Sequence, residues 1–459
     1  MNTTALEEAA IRVHVMKKTG GRAALSVSST RTDQIPRLLS DPRNCAKAKR
    51  LLTLLYALCP IAHLAAYDGA ANAALGTTPA ERRRRDGGLL EEAVRLEAVV
   101  ENLRVLIHEA AAIEDETALL GILPNPELPA PPAVSIDDRR AIGMLRGRLA
   151  QVAAAAAALP AVHLWGGAEA RQIAKARQTL ETVLRDASAL AERLLFGAPA
   201  AEFLAATPSA FSLETWALGA SATLPAAHLL ASSLADPEAP EIDVPMLPER
   251  GVVMTPEFAE ELAHRLLTDP GFDLAPFWQG SPLLTGAATR QHDRPAVADM
   301  LRTRGIAPAT LLSARILETA ALIEASRAGL SVGSTSKEAE GDHPNDRDAA
   351  LERMLWTYGP EPGTGISFVE SARGLLVHAV KADRAGGVAC LKITSPTEWQ
   401  FSPNGAGQRM AGAAVRPFEY PGESPEGRAA LALRIRRALF GLDACVPVDF
   451  VWNGQSKES

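Results

Sequence analysis

Cysteine is scarce in this chain: the 459 residues include only four, at positions 45, 59, 390 and 445. Thiols this far apart do not form the dense disulfide framework of a small secreted domain. Long apolar runs are also missing, since no segment reaches the roughly 18 continuous apolar residues of a membrane-spanning helix. The first residues, MNTTALEEAAIRVHV, contain two glutamates and no apolar stretch of signal-peptide length. These absences predict a cytoplasmic protein with no membrane insertion.

Net positive charge is absent as well. The chain carries 47 basic and 54 acidic residues, a formal charge of −7, so it has no global field that would attract nucleic acid. The one basic run, RRRR at positions 82–85, is short and is typical of a solvated helix end. We therefore expect no nucleic-acid partner.

The sequence is rich in segments whose apolar residues recur at helical spacing. Apolar residues make up 47% of the sequence, and they recur at helical spacing in segments 89–120, 138–159, 168–196, 256–267 and 308–328. Strand patterns are fewer: 11–15 with 24–29, and 375–381 with 388–393, predict two hairpins. Near the end, Ser424 and Pro425 form a typical helix start. The predicted fold class is mainly α with small β pieces (α+β).

Three stretches interrupt this pattern. Residues 123–134, LPNPELPAPPAV, predict a proline-rich connection, because proline cannot donate the backbone hydrogen bond that helices and central strands need. Residues 333–348, GSTSKEAEGDHPNDRD, predict a flexible loop, and 234–251 predict a third irregular segment.

An ordered pair of motifs lies between residues 364 and 404. It resembles the large subunit of [NiFe] hydrogenases, whose pattern is close to E-A-P-R-G-x-L-x-H followed by P-T-x-W-N-x-x-P. Ser371-Ala372 replaces Ala-Pro, and Gln400 replaces Asn. The matching residues are Glu370, Arg373, Gly374, Leu376, His378, Pro396, Thr397, Trp399 and Pro403.

In that family the two motifs form the pocket around the two cyanides and one carbon monoxide on iron. The resemblance implies that Arg373 and Thr397 donate hydrogen bonds to the cyanides, with Pro396 beside Thr397 and Leu376 in the apolar wall. A metal-bound cyanide nitrogen is an anionic acceptor, which a guanidinium and a hydroxyl suit well. Taken alone, an arginine beside a glycine before a strand is more often a surface or capping group.

Residues 54–63, LLYALCPIAH, resemble a second motif of the same family. Cys59 and His63 match the second cysteine and the histidine of the family motif R-x-C-G-x-C-x-x-x-H, whereas Leu54, Tyr56 and Ala57 depart from it. At the other end the family has D-P-C-x-x-C-x-x-H. Here Asp443 and Cys445 match, while Ala444, Val448 and Val451 replace the proline, the second cysteine and the histidine.

Each cysteine motif thus keeps one thiol of two. The hydrogenase centre holds nickel with four thiolates, so Cys59 and Cys445 alone are too few for it, and we expect neither nickel nor hydrogen turnover. They could hold iron that already carries cyanides and carbon monoxide, although Cys445 matches a terminal nickel ligand and would have to reach iron from three residues away. Each cysteine could also be a small buried hydrophobe. His63 is expected beside the site, by hydrogen bonding rather than by metal ligation, or as a core histidine.

This combination resembles the HupK/HoxV type of hydrogenase accessory protein. The resemblance implies one large-subunit-like unit over residues 1–459, not an enzyme but a scaffold that carries Fe(CN)2CO transiently. Its implied partners are the hydrogenase large-subunit precursor and HypC/HypD-like maturation proteins. Only WNGQSKES follows Val451, so the C-terminal processing of catalytic large subunits is not expected. Two alternatives stay open: a metal-free assembly chaperone that mimics the large subunit, and a divergent redox-complex subunit.

Overall fold

The computed structural model describes residues 9–18, 20–77, 88–122, 127–158, 170–247, 255–331, 354–384 and 386–453. The predicted loop at 333–348 and the basic run at 82–85 lie outside these ranges, as do residues 123–126 of the proline-rich connection. Residues 127–134 of that connection contain neither helix nor strand.

Helices form most of the described structure. The main ones are α1 (Gln34–Ser40), α2 (Ala48–Leu55), α3 (Pro60–Ala74), α4 (Leu89–Leu103), α5 (Ala110–Leu119), α6 (Ile136–Ala157), α7 (Ala170–Ala191), α8 (Ala200–Ala206), α9 (Ala210–Ala220), α10 (Pro225–Leu234), α11 (Pro256–Thr268), α12 (Ala287–Arg290), α13 (Pro295–Arg304), α14 (Pro308–Ser331), α15 (Pro396–Phe401), α16 (Ala406–Val415) and α17 (Pro425–Leu439). Wider π-type turns at Arg104–Glu109 and Glu192–Phe196 extend α4 and α7.

The predicted helical segments are confirmed within the described ranges, which leave out residues 159, 168 and 169. Local sequence explains how the helices start. Helix α17 begins as expected, because Ser424 accepts a hydrogen bond from the Gly427 N–H and Pro425 occupies the first turn. Helix α3 is enclosed along its whole length, since all fifteen of its residues are buried. A helix buried on every side lies inside the core rather than on the surface.

Two small sheets accompany the helices. Strands β3 (Leu355–Glu361), β4 (Thr364–Ser371), β5 (Gly374–Ala382) and β6 (Val388–Thr394) form an antiparallel sheet in the order β3-β4-β5-β6. Strands β1 (Ile11–Lys17), β2 (Ala23–Ser29) and β7 (Val448–Asn453) form the other, in the order β2-β1-β7. Both predicted hairpins are therefore confirmed, as is the α+β class.

The ends of the chain meet in the three-stranded sheet. Strand β1 pairs with β2 in antiparallel orientation and with β7 in parallel orientation. Its inward side chains, Ile11, Val13 and Val15, are fully buried in the main core. In the described ranges, no helix has the length and apolarity to cross a bilayer.

Candidate metal centre

The two motif cysteines come together from opposite ends of the chain. Cys59 directly precedes α3, and Cys445 lies between α17 and β7. Both are reduced and partly accessible. Burial raises the pKa of the Cys59 thiol, nearby Arg373 opposes that rise, and Cys445 is close enough to add to it. The thiols thus share one electrostatic environment, as the sequence motifs predict.

Cys445 is held by two hydrogen-bonding side chains. The Thr397 hydroxyl lies 3.0 Å from the Cys445 sulfur. Nη2 of Arg31 donates to the same sulfur at 2.7 Å. Thr397 therefore lies beside the Cys445 thiol, and its role as a donor to cyanide stays a prediction.

Arg31 is a residue that sequence reasoning missed. It follows β2, and besides Cys445 its guanidinium contacts Ser395 Oγ at 2.7 Å and the Glu398 carboxylate at 3.1 Å. Burial opposes its charge, yet Cys445 and Glu398 hold the pKa of Arg31 above its ordinary value. Nothing in the local sequence SSTRTD signals this role, because the residues that hydrogen-bond to its guanidinium are all more than 300 positions away.

Arg373 is fully enclosed in a charged network. Its side chain is 3% exposed and pairs with Glu101 and Asp443, each at 3.2 Å. Asp443 also accepts from Arg315 at 2.7 Å. Burial alone would raise the pKa of Asp443, but Arg373 and Arg315 together lower it. Asp443 therefore stays ionised, and the predicted pocket arginine is fixed beside it.

The second motif forms the start of a short helix. Pro396 is the first residue of α15, and the preceding Ser395 forms a reciprocal capping arrangement with Glu398. This cap fixes the buried Thr397 in the first turn. Leu376 is buried on β5, within the main core.

The turn at Arg373 needs glycine. Gly374 has φ +134°, and a Cβ atom there would lie 2.9 Å from the backbone nitrogen of Gly286, so only glycine fits. Gln400, which replaces the family's asparagine, fastens the same turn: its side-chain amide donates to the carbonyls of Arg373 at 3.1 Å and Thr285 at 2.9 Å.

His63 lies in a buried aromatic cluster. Its Nδ1 is 3.1 Å from Nε2 of His378, and its ring stacks on Tyr56 with the centroids 3.6 Å apart. Burial lowers the pKa of His378 to about 3 and that of His63 well below its ordinary value, the latter with a further contribution from His378. Both imidazoles are therefore neutral at physiological pH, which is typical of hydrogen-bonded core histidines.

Glu97 is a second residue that sequence reasoning missed. Its two carboxyl oxygens accept from the backbone N–H groups of Ile61 and Ala62, each at 2.8 Å, at the start of α3. Burial raises the pKa of Glu97 to about 8, although these hydrogen bonds act in the opposite direction. A signal existed: Glu97 and Glu101 lie four apart in the helix α4, a spacing that places both on one face.

The positions of the two missing thiols are filled by packing residues. Tyr56 stacks on His63, and Val448 begins β7, where it pairs with Ile11. Across the described ranges, no group of three or more His, Cys, Asp or Glu side chains could hold a metal ion. The site therefore offers two thiols plus hydrogen-bond donors, which fits a metal that brings other ligands with it.

Comparison with known proteins agrees with this architecture. No family model matches the chain. It is 31% identical to the hydrogenase expression/formation protein HoxV of Cupriavidus necator over 213 residues, 44% of this chain and 45% of HoxV. It is also 31% identical to the hydrogenase expression/formation protein HupK of Rhizobium leguminosarum bv. viciae over 174 residues, 34% of this chain and 44% of HupK. The chain thus spans less than half the length of each of these relatives.

Solved structures show the fold. The NAD+-reducing [NiFe]-hydrogenase in the H2-reduced state matches with a TM-score of 0.50 and 13% identity, over 94% of each chain. The reduced, active Ni-Fe-Se hydrogenase from Desulfomicrobium baculatum also gives 0.50 and 13%, over 93% of this chain and 96% of that one. The resemblance predicted from the motifs is therefore confirmed: the chain is similar to the hydrogenase expression/formation proteins HoxV and HupK and has the fold of the [NiFe] hydrogenase large subunit.

Proposed function

We propose that this protein is a non-catalytic scaffold in [NiFe] hydrogenase maturation, which carries the Fe(CN)2CO unit transiently before delivery to the hydrogenase large subunit. The observation that carries the proposal is the meeting of Cys59 and Cys445, one from each end of the chain, beside Arg373 and Thr397. These are the thiols and donors that such a cargo needs.

The cargo supplies most of its own coordination. Iron that already holds two cyanides and a carbon monoxide needs few protein ligands, so two thiolates can retain it without a complete metal site. In the proposal, Cys59 and Cys445 bind iron, while Arg373 and Thr397 donate to the cyanide nitrogens and Pro396 and Leu376 keep the pocket dry.

Unused donors support this assignment. In the part of the chain that the structure describes, Nε of Arg373 is within ion-pair distance of Asp443 but lacks an aligned hydrogen bond, and Nη1 of Arg315 has no acceptor. Buried donors without acceptors are costly in a folded protein. An anionic ligand beside Arg373 would satisfy such a donor, so the network suits a bound cyanide.

The filled thiol positions argue against catalysis. Tyr56 and Val448 stand where two further thiolates would be needed for nickel, and both are packed against neighbouring side chains or strands. We therefore propose that the chain takes up no nickel and turns over no hydrogen. His63, stacked on Tyr56, would support the pocket without ligating metal.

The partners follow from the cargo and the fold. An Fe(CN)2CO unit must be received from the proteins that assemble it, proposed here as HypC/HypD-like maturation proteins, and passed to the large-subunit precursor. Similarity to the large-subunit fold would let the same maturation proteins recognise both the scaffold and the final recipient.

A metal-free assembly chaperone is the second candidate. The observation in its favour is that no group of three or more potential ligand side chains occurs among the described residues. In this case the chain would engage maturation factors through its large-subunit-like surface and leave both thiols unused.

Infrared spectroscopy distinguishes the two candidates. Protein purified from its own host should show cyanide and carbonyl stretching bands, and Cys59→Ser or Cys445→Ser should abolish them. The matched control is Cys390→Ser, which removes a thiol on β6 and should leave the bands unchanged. A wild-type protein without bands that still restores hydrogenase maturation would support the chaperone instead. Bands that survive both site variants would contradict the proposed ligands.

A further inference from the structure

We propose that Arg31 makes this site charge-selective, so that it accepts an anionic, cyanide-bearing iron fragment and rejects bare divalent cations. The inference rests on the proposed function, because it concerns the same two thiols. It assigns to Arg31 a role that neither cysteine motif contains.

The guanidinium of Arg31 is held in place from several directions. Nη2 donates to the Cys445 sulfur at 2.7 Å, and Nη1 donates to Ser395 Oγ at 2.7 Å and to Glu398 at 3.1 Å. The Arg31 backbone N–H donates to Ser29 Oγ at 3.2 Å. With its side chain 17% exposed, Arg31 presents a fixed positive charge to the thiol.

The carboxylates near the thiols are already engaged. Glu398 accepts from Arg31 and from the Ser395 backbone N–H at 2.9 Å, and Glu101 and Asp443 pair with Arg373. At Cys445 the charged group in hydrogen-bond contact with the sulfur is therefore Arg31. At Cys59 the influence of Arg373 opposes that of Glu97 and Glu101, and the field of Arg31 reaches this thiol as well.

This arrangement treats the two kinds of metal species differently. A bare divalent cation on Cys445 would lie next to the Arg31 charge, and the repulsion between them is strong in a partly buried site. An Fe(CN)2CO unit presents anionic cyanide nitrogens, which accept hydrogen bonds from a guanidinium. Arg31 can therefore favour the cargo and disfavour adventitious metal at the same thiols.

Cobalt(II) binding tests the inference directly. Wild-type protein, Arg31→Met and Arg31→Lys are titrated with Co2+ under reducing, anaerobic conditions, and binding is followed by the thiolate-to-cobalt charge-transfer absorption. Arg31→Met keeps the length of the side chain and loses its charge, so it should bind Co2+ about tenfold more tightly or better. Arg31→Lys keeps the charge and should resemble the wild type.

Further variants locate the effect. Adding Cys445→Ser to Arg31→Met should remove the gain, whereas Arg43→Met, at an exposed arginine paired with Asp41, should leave the wild-type affinity unchanged. Circular dichroism and the thermal midpoint establish that each variant is folded. Equal cobalt affinity in wild type and Arg31→Met, no binding in any variant, or a gain in Arg31→Lys as well would overturn the inference.

The outcome is separable from that of the infrared experiment. If the infrared bands are present but wild type and Arg31→Met bind Co2+ equally, the scaffold proposal holds and the role proposed for Arg31 is refuted. If Arg31→Met binds Co2+ more tightly than the wild type but the infrared bands are absent, the thiol pair is charge-selective and the proposed cargo is refuted.

Discussion

Glu97 links a buried charge to the position of Cys59. Its carboxyl group accepts the N–H groups of Ile61 and Ala62, which are otherwise unpaired at the start of α3. Because Cys59 immediately precedes this helix, the same contact fixes the cysteine backbone. Burial raises the pKa of Glu97 to about 8, so the anchor titrates in the physiological range.

Replacing Glu97 by glutamine should remove a pH dependence of stability. The folded carboxyl keeps its proton up to about pH 8, whereas the unfolded chain loses it near about pH 4.3. Folding takes up a proton between these values, so stability conferred by Glu97 falls as pH rises through this window and levels off above it.

The measurement is urea unfolding of wild type and Glu97→Gln at several pH values from 5.5 to 8. The free energy of unfolding of the wild type, minus that of the variant, should fall by up to about 1.4 kcal/mol per pH unit. A difference that does not change with pH would show that the folded carboxyl is ionised throughout.

Single residues of the site were predictable only where a motif contained them. The motifs predict that Cys59, Cys445, Arg373 and Thr397 share a pocket, and the structure places them together. Arg31 could not be predicted, because its partners Ser395 and Cys445 lie 364 and 414 residues away. Such contacts arise from the tertiary fold and leave no local pattern.

Among the secondary elements, α3 and β4 make an unusually close contact. A Cβ atom added at Gly365 of β4 would overlap the backbone of Ala70 and approach that of Ala74, and one added at Gly69 of α3 would lie 2.5 Å from Oγ of Ser367 on β4. Paired glycines let the helix backbone lie directly on the strand. This contact sets the position of α3, and with it that of Cys59 at the helix start.

Gly365→Ala should therefore push α3 away from the sheet. The added methyl group meets backbone atoms that cannot rotate away, so we expect a loss of about 2 to 3 kcal/mol in unfolding free energy, together with loss of the infrared bands. Gly412→Ala in α16 is the matched control, because no atom lies within 4 Å of its added Cβ. This control should raise the unfolding free energy by about 0.5 to 1 kcal/mol. Both variants are measured by urea unfolding, and an unfolding free energy of Gly365→Ala equal to that of the wild type would refute the close contact.

Some helices and strands could be predicted from the sequence and others could not. Amphipathic helices and the two hairpins were predictable from periodicity, as in α4 and β1. Strand β4 was not, because all eight of its residues are buried and its sequence TGISFVES lacks the alternation of a half-buried strand. Strand β7 was also missed, since it becomes a strand only by pairing with β1 at the other end of the chain.

On the scale of the whole molecule, the site depends on joining the two chain ends. Strand β7 pairs with β1 in parallel register from Ile11 with Val448 to Met16 with Asn453. Cys445 precedes this pairing by three residues, and Arg31 follows the β1–β2 hairpin. The sheet therefore brings together the Arg31 guanidinium and the Cys445 sulfur.

A chain that ends at Pro447 tests this dependence while it retains both cysteines. Loss of β7 removes the ladder of hydrogen bonds on one side of β1, so we expect a drop of about 3 to 5 kcal/mol in unfolding free energy. Hydrogen exchange should report reduced protection of the β1 amides, and the infrared bands should disappear. Asp449→Asn is the control, because it changes an exposed side chain and leaves the backbone ladder intact. Full protection and intact bands in the shortened chain would show that Cys445 reaches Arg31 and Cys59 without β7, and the joining of the ends would then serve stability alone.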